Sequence, residues 1–126
     1  MNATAKEKYT NLNYLKQLTE GDTILIEEMI RIYLRQTPLI IDAMKESLVH
    51  NDWQSLQEAI HKIIPSFSIM GIGYDIESIA RRIQKYEYSL TISKEIQAQV
   101  FELETICEEA FKELEAELKN IKENTL

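Results

Sequence analysis

From Ile96 to Ile121 the chain places an apolar or small residue at every third or fourth position: Ile96, Val100, Leu103, Cys107, Ala110, Leu114, Leu118 and Ile121. A period of that kind, held over so many turns, is one face of a helix; strand faces alternate at every second residue. The opposite face is rich in acids, so the segment from about Ser93 predicts a long amphipathic helix with one side to bury. A coiled coil would satisfy this helix alone, but the rest of the chain carries apolar faces that also need covering.

Those faces follow the same period. Trp53, Leu56, Ile60, Ile63, Phe67 and Met70 form a second core-facing stripe, ended by the turn signal Gly71-Ile72-Gly73. Asn51-Asp52-Trp53-Gln54 before it reads as a capping box, with Asn51 as cap and Gln54 three residues on. Another helix carries Ile76, Ile79, Ile83 and Tyr86. Upstream, Leu25, Met29, Ile32 and Tyr33 recur at helical spacing from Thr23, and Ile40, Ile41, Met44 and Leu48 continue to about His50. Thr37-Pro38 between the two runs predicts a kink or break, with Thr37 capping a new helix that starts at Pro38. Asn11–Leu18 is a short helix stopped at Glu20-Gly21-Asp22.

Four substantial amphipathic helices with short connections predict an all-α fold: an antiparallel four-helix bundle with a short additional N-terminal helix. The 126 residues suffice for one core, and only 3 Gly and 2 Pro leave little material for a turn-rich sheet. The expected organisation is a flexible N-terminus over residues 1–10 and a single helical domain over residues 11–123.

Charge and composition exclude several functions. A formal net charge of −7, with no basic stripe, argues against nucleic acid. Cys107 is the only cysteine, so there is no disulfide framework or thiolate zinc site, and on the core stripe it reads as a buried free thiol. No apolar run approaches the roughly 20 residues of a membrane span, and the polar start MNATAKEKYT is no signal peptide. A cytoplasmic, monomeric protein with no membrane contact is expected.

His61 is the residue this frame does not explain. At about 100° per residue it stands roughly 115° from the centre of its helix's apolar stripe, sharing a flank with Gln54, Gln57, Pro65 and Ser68. A histidine on a solvated helix face is one reading. Pro65 shifts the balance away from it: a proline inside a helix removes the bond to the carbonyl four residues earlier, here that of His61, at a cost of about 3 kcal/mol, and a kink there would open the surroundings of the histidine. Glu58 and His61 form a Glu-x-x-His pair, but a di-metal centre needs a second such pair, and Ser47 stands three residues before His50, the only other histidine. Ser66 and Ser68 lack a nucleophile turn, and the chain has no phosphate-cradling glycine loop.

The run NDWQSLQEAIHKIIPSFSIMGI (51–72) resembles the active-site helix of histidine-containing phosphotransfer (HPt) domains, in the bacterial variety with Lys after the histidine, then Pro-Ser, then Met-Gly-Ile. The resemblance extends over residues 12–118. It implies a four-helix bundle whose exposed histidine takes a phosphoryl group from one receiver-domain aspartate and passes it to another in two-component signalling. His61 would be the phosphoacceptor, with Lys62, Ile64, Pro65, Ser68 and Gly71 around it; Ser68 and Gly71 match small positions that let a receiver approach. The implied partners are receiver domains of response regulators and hybrid histidine kinases. The carrier would have no cofactor of its own, Mg²⁺ being the receiver's, and no ATP-dependent kinase activity. The chain departs from many relatives in having Ile64 where a lysine is common, Pro65 for Gly, and Ile60 for a small residue before the histidine. Arg81, Arg82 and Lys85 on the next helix are further candidate cations. The alternative is a non-catalytic helical docking or adaptor protein in which His61 is not phosphorylated.

Overall fold

The computed structural model describes residues 9–73, 76–85 and 93–124. Among them are five helices and no strand: α1 (Asn13–Leu18), α2 (Thr23–Val49), α3 (Trp53–Ile69), α4 (Ile76–Lys85) and α5 (Lys94–Asn124). Helix α2 packs on α3 and α5, and α4 packs on the same two helices. The α3 stripe read from sequence is buried at every position from Trp53 to Met70, as is the α5 stripe from Ile96 to Leu118, with Ile121 half-buried. On α4, Ile79 joins the core; the Ile76 and Ile83 side chains, and Tyr86, lie outside the described residues. No described helix is long and apolar enough to cross a membrane.

Two expectations for α2 are corrected. The helix passes through Pro38 as one element, and Thr37 is an interior helical residue rather than a cap. Pro38 is exposed, while Tyr33 and Met44, both buried, anchor the helix on either side of it. Burying such side chains, at about 1.5–3 kcal/mol each, outweighs a penalty of about 3 kcal/mol. The inward face is also turned from that expected: Ile26, Ile30, Tyr33, Thr37, Met44 and Ser47 are buried, whereas Leu25 and Ile32 are exposed.

The turn between α2 and α3 is built differently from the capping box. Asn51 adopts a left-handed backbone (φ +53) and closes the end of α2: its N–H donates to Leu48 O at 3.3 Å, and Asp52 N–H donates to Ser47 O at 2.9 Å. This is a Schellman closure with asparagine at the left-handed position. The cap of α3 is therefore Asp52, whose carboxylate accepts the Ser55 N–H at 3.1 Å and the Ser55 hydroxyl at 2.7 Å. The Ser55 hydroxyl, then its N–H, hold that carboxyl below the usual carboxylate range.

Helix α3 ends in a second Schellman closure, with Gly71 at φ +65 and Ile72 N–H reaching Phe67 O at 2.9 Å. A Cβ on Gly71 would run into the backbone carbonyl of Asn11, whose N–H in turn donates to Met70 O at 3.0 Å. Tyr9 and Thr10, assigned by sequence to the loose terminus, are also held. Both N–H groups donate to the Glu113 carboxylate at 2.9 Å, and the Thr10 hydroxyl does so at 2.8 Å. Residues 9–11 thus strap α5 to the end of α3 and deliver Leu15 of α1 fully into the core.

Glu20 also takes a left-handed backbone (φ +53), strained for a residue with a side chain. Glu20→Gly should therefore raise unfolding stability by about 1 kcal/mol. Gly71→Ala should lower it by at least about 1 kcal/mol through both the backbone angle and the collision with Asn11. Urea unfolding midpoints, read by circular dichroism, test the opposite signs.

Candidate functional site

The site follows from how α3 is buried. With Ile60, Ile63 and Phe67 inside, residues 61, 62, 65 and 68 must turn outward, and His61, Lys62, Pro65 and Ser68 are all exposed. Ser68 lies two turns beyond His61 on the same flank, while Lys62 is about 100° around the axis. Ile64, one turn from His61, is half-buried and packs against the core cluster. It forms an apolar shoulder between the core and the imidazole.

Helix α3 continues through Pro65 to Ile69. Pro65 has no N–H to offer the His61 carbonyl, so the usual i to i−4 bond is missing at this point of the helix. Among the described residues the His61 ring has no hydrogen-bond or ionic partner. His50 differs: its Nε2 lies 3.2 Å from Glu46 Oε1, one helical turn away. Of the two imidazoles, His61 is the one left open to a reactant.

Gly71 lies past the C-terminal end of α3, and the Asn11 backbone packs against it. Its small size serves internal packing. The cations of α4 do not simply replace a lysine at position 64. Arg82 donates to Glu95 on α5 at 3.0 Å, Arg81 is also engaged, and the Lys85 side chain lies outside the described residues. The neutral contribution of Ile64 is thus not offset by a free α4 arginine. Sequence reasoning did not find the Asn11 contact, because nothing in a lone Asn-Leu-Asn signals which helix end it will cross.

Among the described residues no three His, Cys, Asp or Glu side chains gather as a metal site. Cys107 is buried. Burial is the main cause that pushes its thiol up from 9.0 to about 12; the Tyr33 hydroxyl beside it acts the other way, and Glu104 and Glu108 add to the rise. Tyr33 is displaced upward too, first by its own burial and then by Cys107. Neither group is a nucleophile at neutral pH. The chain matches no known protein family, no curated protein and no solved structure.

Cys107 should resist iodoacetamide at about pH 8 in the native protein and react once it is unfolded. Because the native thiol stays protonated up to about 12 while the unfolded thiol ionises near 9.0, its contribution to stability is complete below pH 9 and is lost as pH rises toward 12. Urea midpoints measured across that range should fall with pH, and Cys107→Ala should flatten the fall.

Proposed function

We propose that the chain is a phosphorelay carrier of the HPt kind, an antiparallel four-helix bundle of α2–α5 with α1 added, whose His61 shuttles a phosphoryl group between receiver domains. The observation that carries this reading is the exposed, unpartnered imidazole on the outward flank of a helix whose other face is locked in the core. The resemblance over residues 51–72 gives that ring its chemistry.

The reaction asks little of the carrier. The lone pair of a neutral imidazole nitrogen attacks phosphorus, the N–P bond forms as the P–O bond to the receiver's aspartyl carboxylate breaks, and the carboxylate leaves with the electron pair. Onward transfer reverses these bonds at a second receiver. Positioning and charge neutralisation dominate such transfers, and the receiver's Mg²⁺ supplies most of the latter. On this side Lys62, the next residue, reaches the phosphate by bending back around the helix.

Incubation with phosphorylated receiver domains should add one acid-labile phosphate, seen as a single mass increment, at His61 and not at His50. His61→Gln should abolish the increment with helical content unchanged. Labelling that survives this substitution overturns the assignment, and a wild-type chain that no receiver labels would be a docking protein instead.

Ile64 sets a second expectation. Its apolar shoulder offers contact to a hydrophobic receiver patch but no charge to the phosphate. Ile64→Lys should speed transfer at saturating receiver by about tenfold, equivalent to about 1.4 kcal/mol in the barrier, while weakening receiver binding. Single-turnover transfer at several receiver concentrations separates the two effects; no change in either would reduce Ile64 to bundle packing.

A further inference from the structure

A cavity lies away from His61, between α2 and α5, and no α3 residue lines it. It is an open groove of about 410 Å³ floored by Pro38, Ile41 and Phe111, with Thr37 and Cys107 beneath. Lys45, at one end of the α2 lining, pairs with Glu104, at the other-numbered end of the α5 lining, at 3.3 Å. The two helices therefore run in opposite directions along the groove. Val49 stands one turn beyond Lys45, and Phe101 about one turn before Glu104, so both extend the groove past the ion pair at the same end. Val49 is 78% and Phe101 68% exposed, the first and third most exposed of the described large apolar side chains, with Ile24 between them. The apolar strip runs about 16–21 Å at 1.5 Å per residue, the length of three to four helical turns.

The charges along its rim are unequal. Both lysines are engaged, Lys45 with Glu104 and Lys112 with Glu109 at 3.5 Å. Asp42, Glu108 and Glu115 line the same groove and have no ionic partner among the described residues. An apolar strip between two helices is shaped for an amphipathic helix laid along it. A rim of uncompensated carboxylates selects one whose apolar ridge is flanked by Lys or Arg.

We infer that the α2–α5 groove is a docking site for a basic amphipathic helix of a partner protein, separate from the His61 flank. The apolar floor supplies the contact, Phe101 and Val49 extend it, and Asp42, Glu108 and Glu115 set the sign of the partner's charge.

The test uses the full chain, isotope-labelled, and three synthetic helical peptides of about 14 residues, matching the strip at 1.5 Å per residue. One carries a leucine ridge flanked by lysines, one the same ridge flanked by glutamates, and one the lysine composition with the ridge scrambled. The first should bind saturably, shifting amides of Ile41, Lys45, Cys107 and Phe111, and should weaken as salt is raised. The other two should bind at least tenfold more weakly. Glu108→Lys with Glu115→Lys, and separately Phe101→Ser at its exposed site, should each cost the lysine peptide about tenfold in affinity. Glu20→Lys with Glu28→Lys, an equal charge change elsewhere, should cost less than threefold. Equal binding of all three peptides, shifts centred on α3, or equal losses from both charge-reversed pairs would overturn the proposal. So would a dimer in sedimentation that Phe101→Ser dissolves, since the occupant would then be a second copy of the chain.

Discussion

The burial of one face of α3 is the constraint on which the other features rest. Trp53, Leu56, Ala59, Ile60, Ile63, Phe67 and Met70 are all inside, and each contributes on the order of 1–3 kcal/mol to holding the helix at one rotation. A rotation by a single residue would expose several of them at once. The direction of His61 is thus a consequence of hydrophobic packing on the far side of its own helix. Both ends of α3 are also fixed, by the Asp52 cap and by the Schellman closure at Gly71, so the imidazole is presented from a helix with little freedom to fray.

How much could be read in advance depended on how one-sided each segment is. The α3 and α5 stripes were legible because each runs unbroken at helical spacing with mostly polar residues between its members, even though Ile64 and Ile69 on α3 and Phe101, Ile106 and Phe111 on α5 stand outside it. In α2 the run Ile24-Leu25-Ile26, then Met29-Ile30 and Ile32-Tyr33-Leu34, is apolar around most of the helix. Periodicity there is degenerate, and only the neighbouring helices select Ile26, Ile30 and Tyr33. Pro38 misled for a different reason: its local cost is real, but contacts on both sides of it are larger. Asn51 and Asp52 are both good caps, and the left-handed turn that assigns each to a different helix depends on the angle between α2 and α3. At the candidate site, the outward flank of His61 was legible from angles alone, whereas the covering of Gly71 by Asn11 and the engagement of Arg82 by Glu95 join residues far apart in sequence.

The His61 flank and the α2–α5 groove differ in what they present. One has an exposed imidazole beside an apolar shoulder, with little charge of its own. The other offers a longer apolar strip edged with carboxylates, where the chain's formal net charge of −7 has a local expression. They share no residue, and α3 and α5 each pack chiefly on α2 and α4 rather than on each other. A partner helix lying in the groove would leave the imidazole open.

The strap formed by residues 9–11 bears on the order in which the chain assembles. Its bonds to Glu113 join residues 104 and 103 positions apart, whereas α2, α3 and α4 meet through short connections. Closing a loop of that length costs about 4 kcal/mol in chain entropy, and until α2 has gathered both α3 and α5 the Glu113 carboxylate has nothing to grip. The helical hairpins therefore form early and the strap late. By the same reasoning it is the first segment to let go in the native state, opening a path to Leu15 while the rest of the core stays closed.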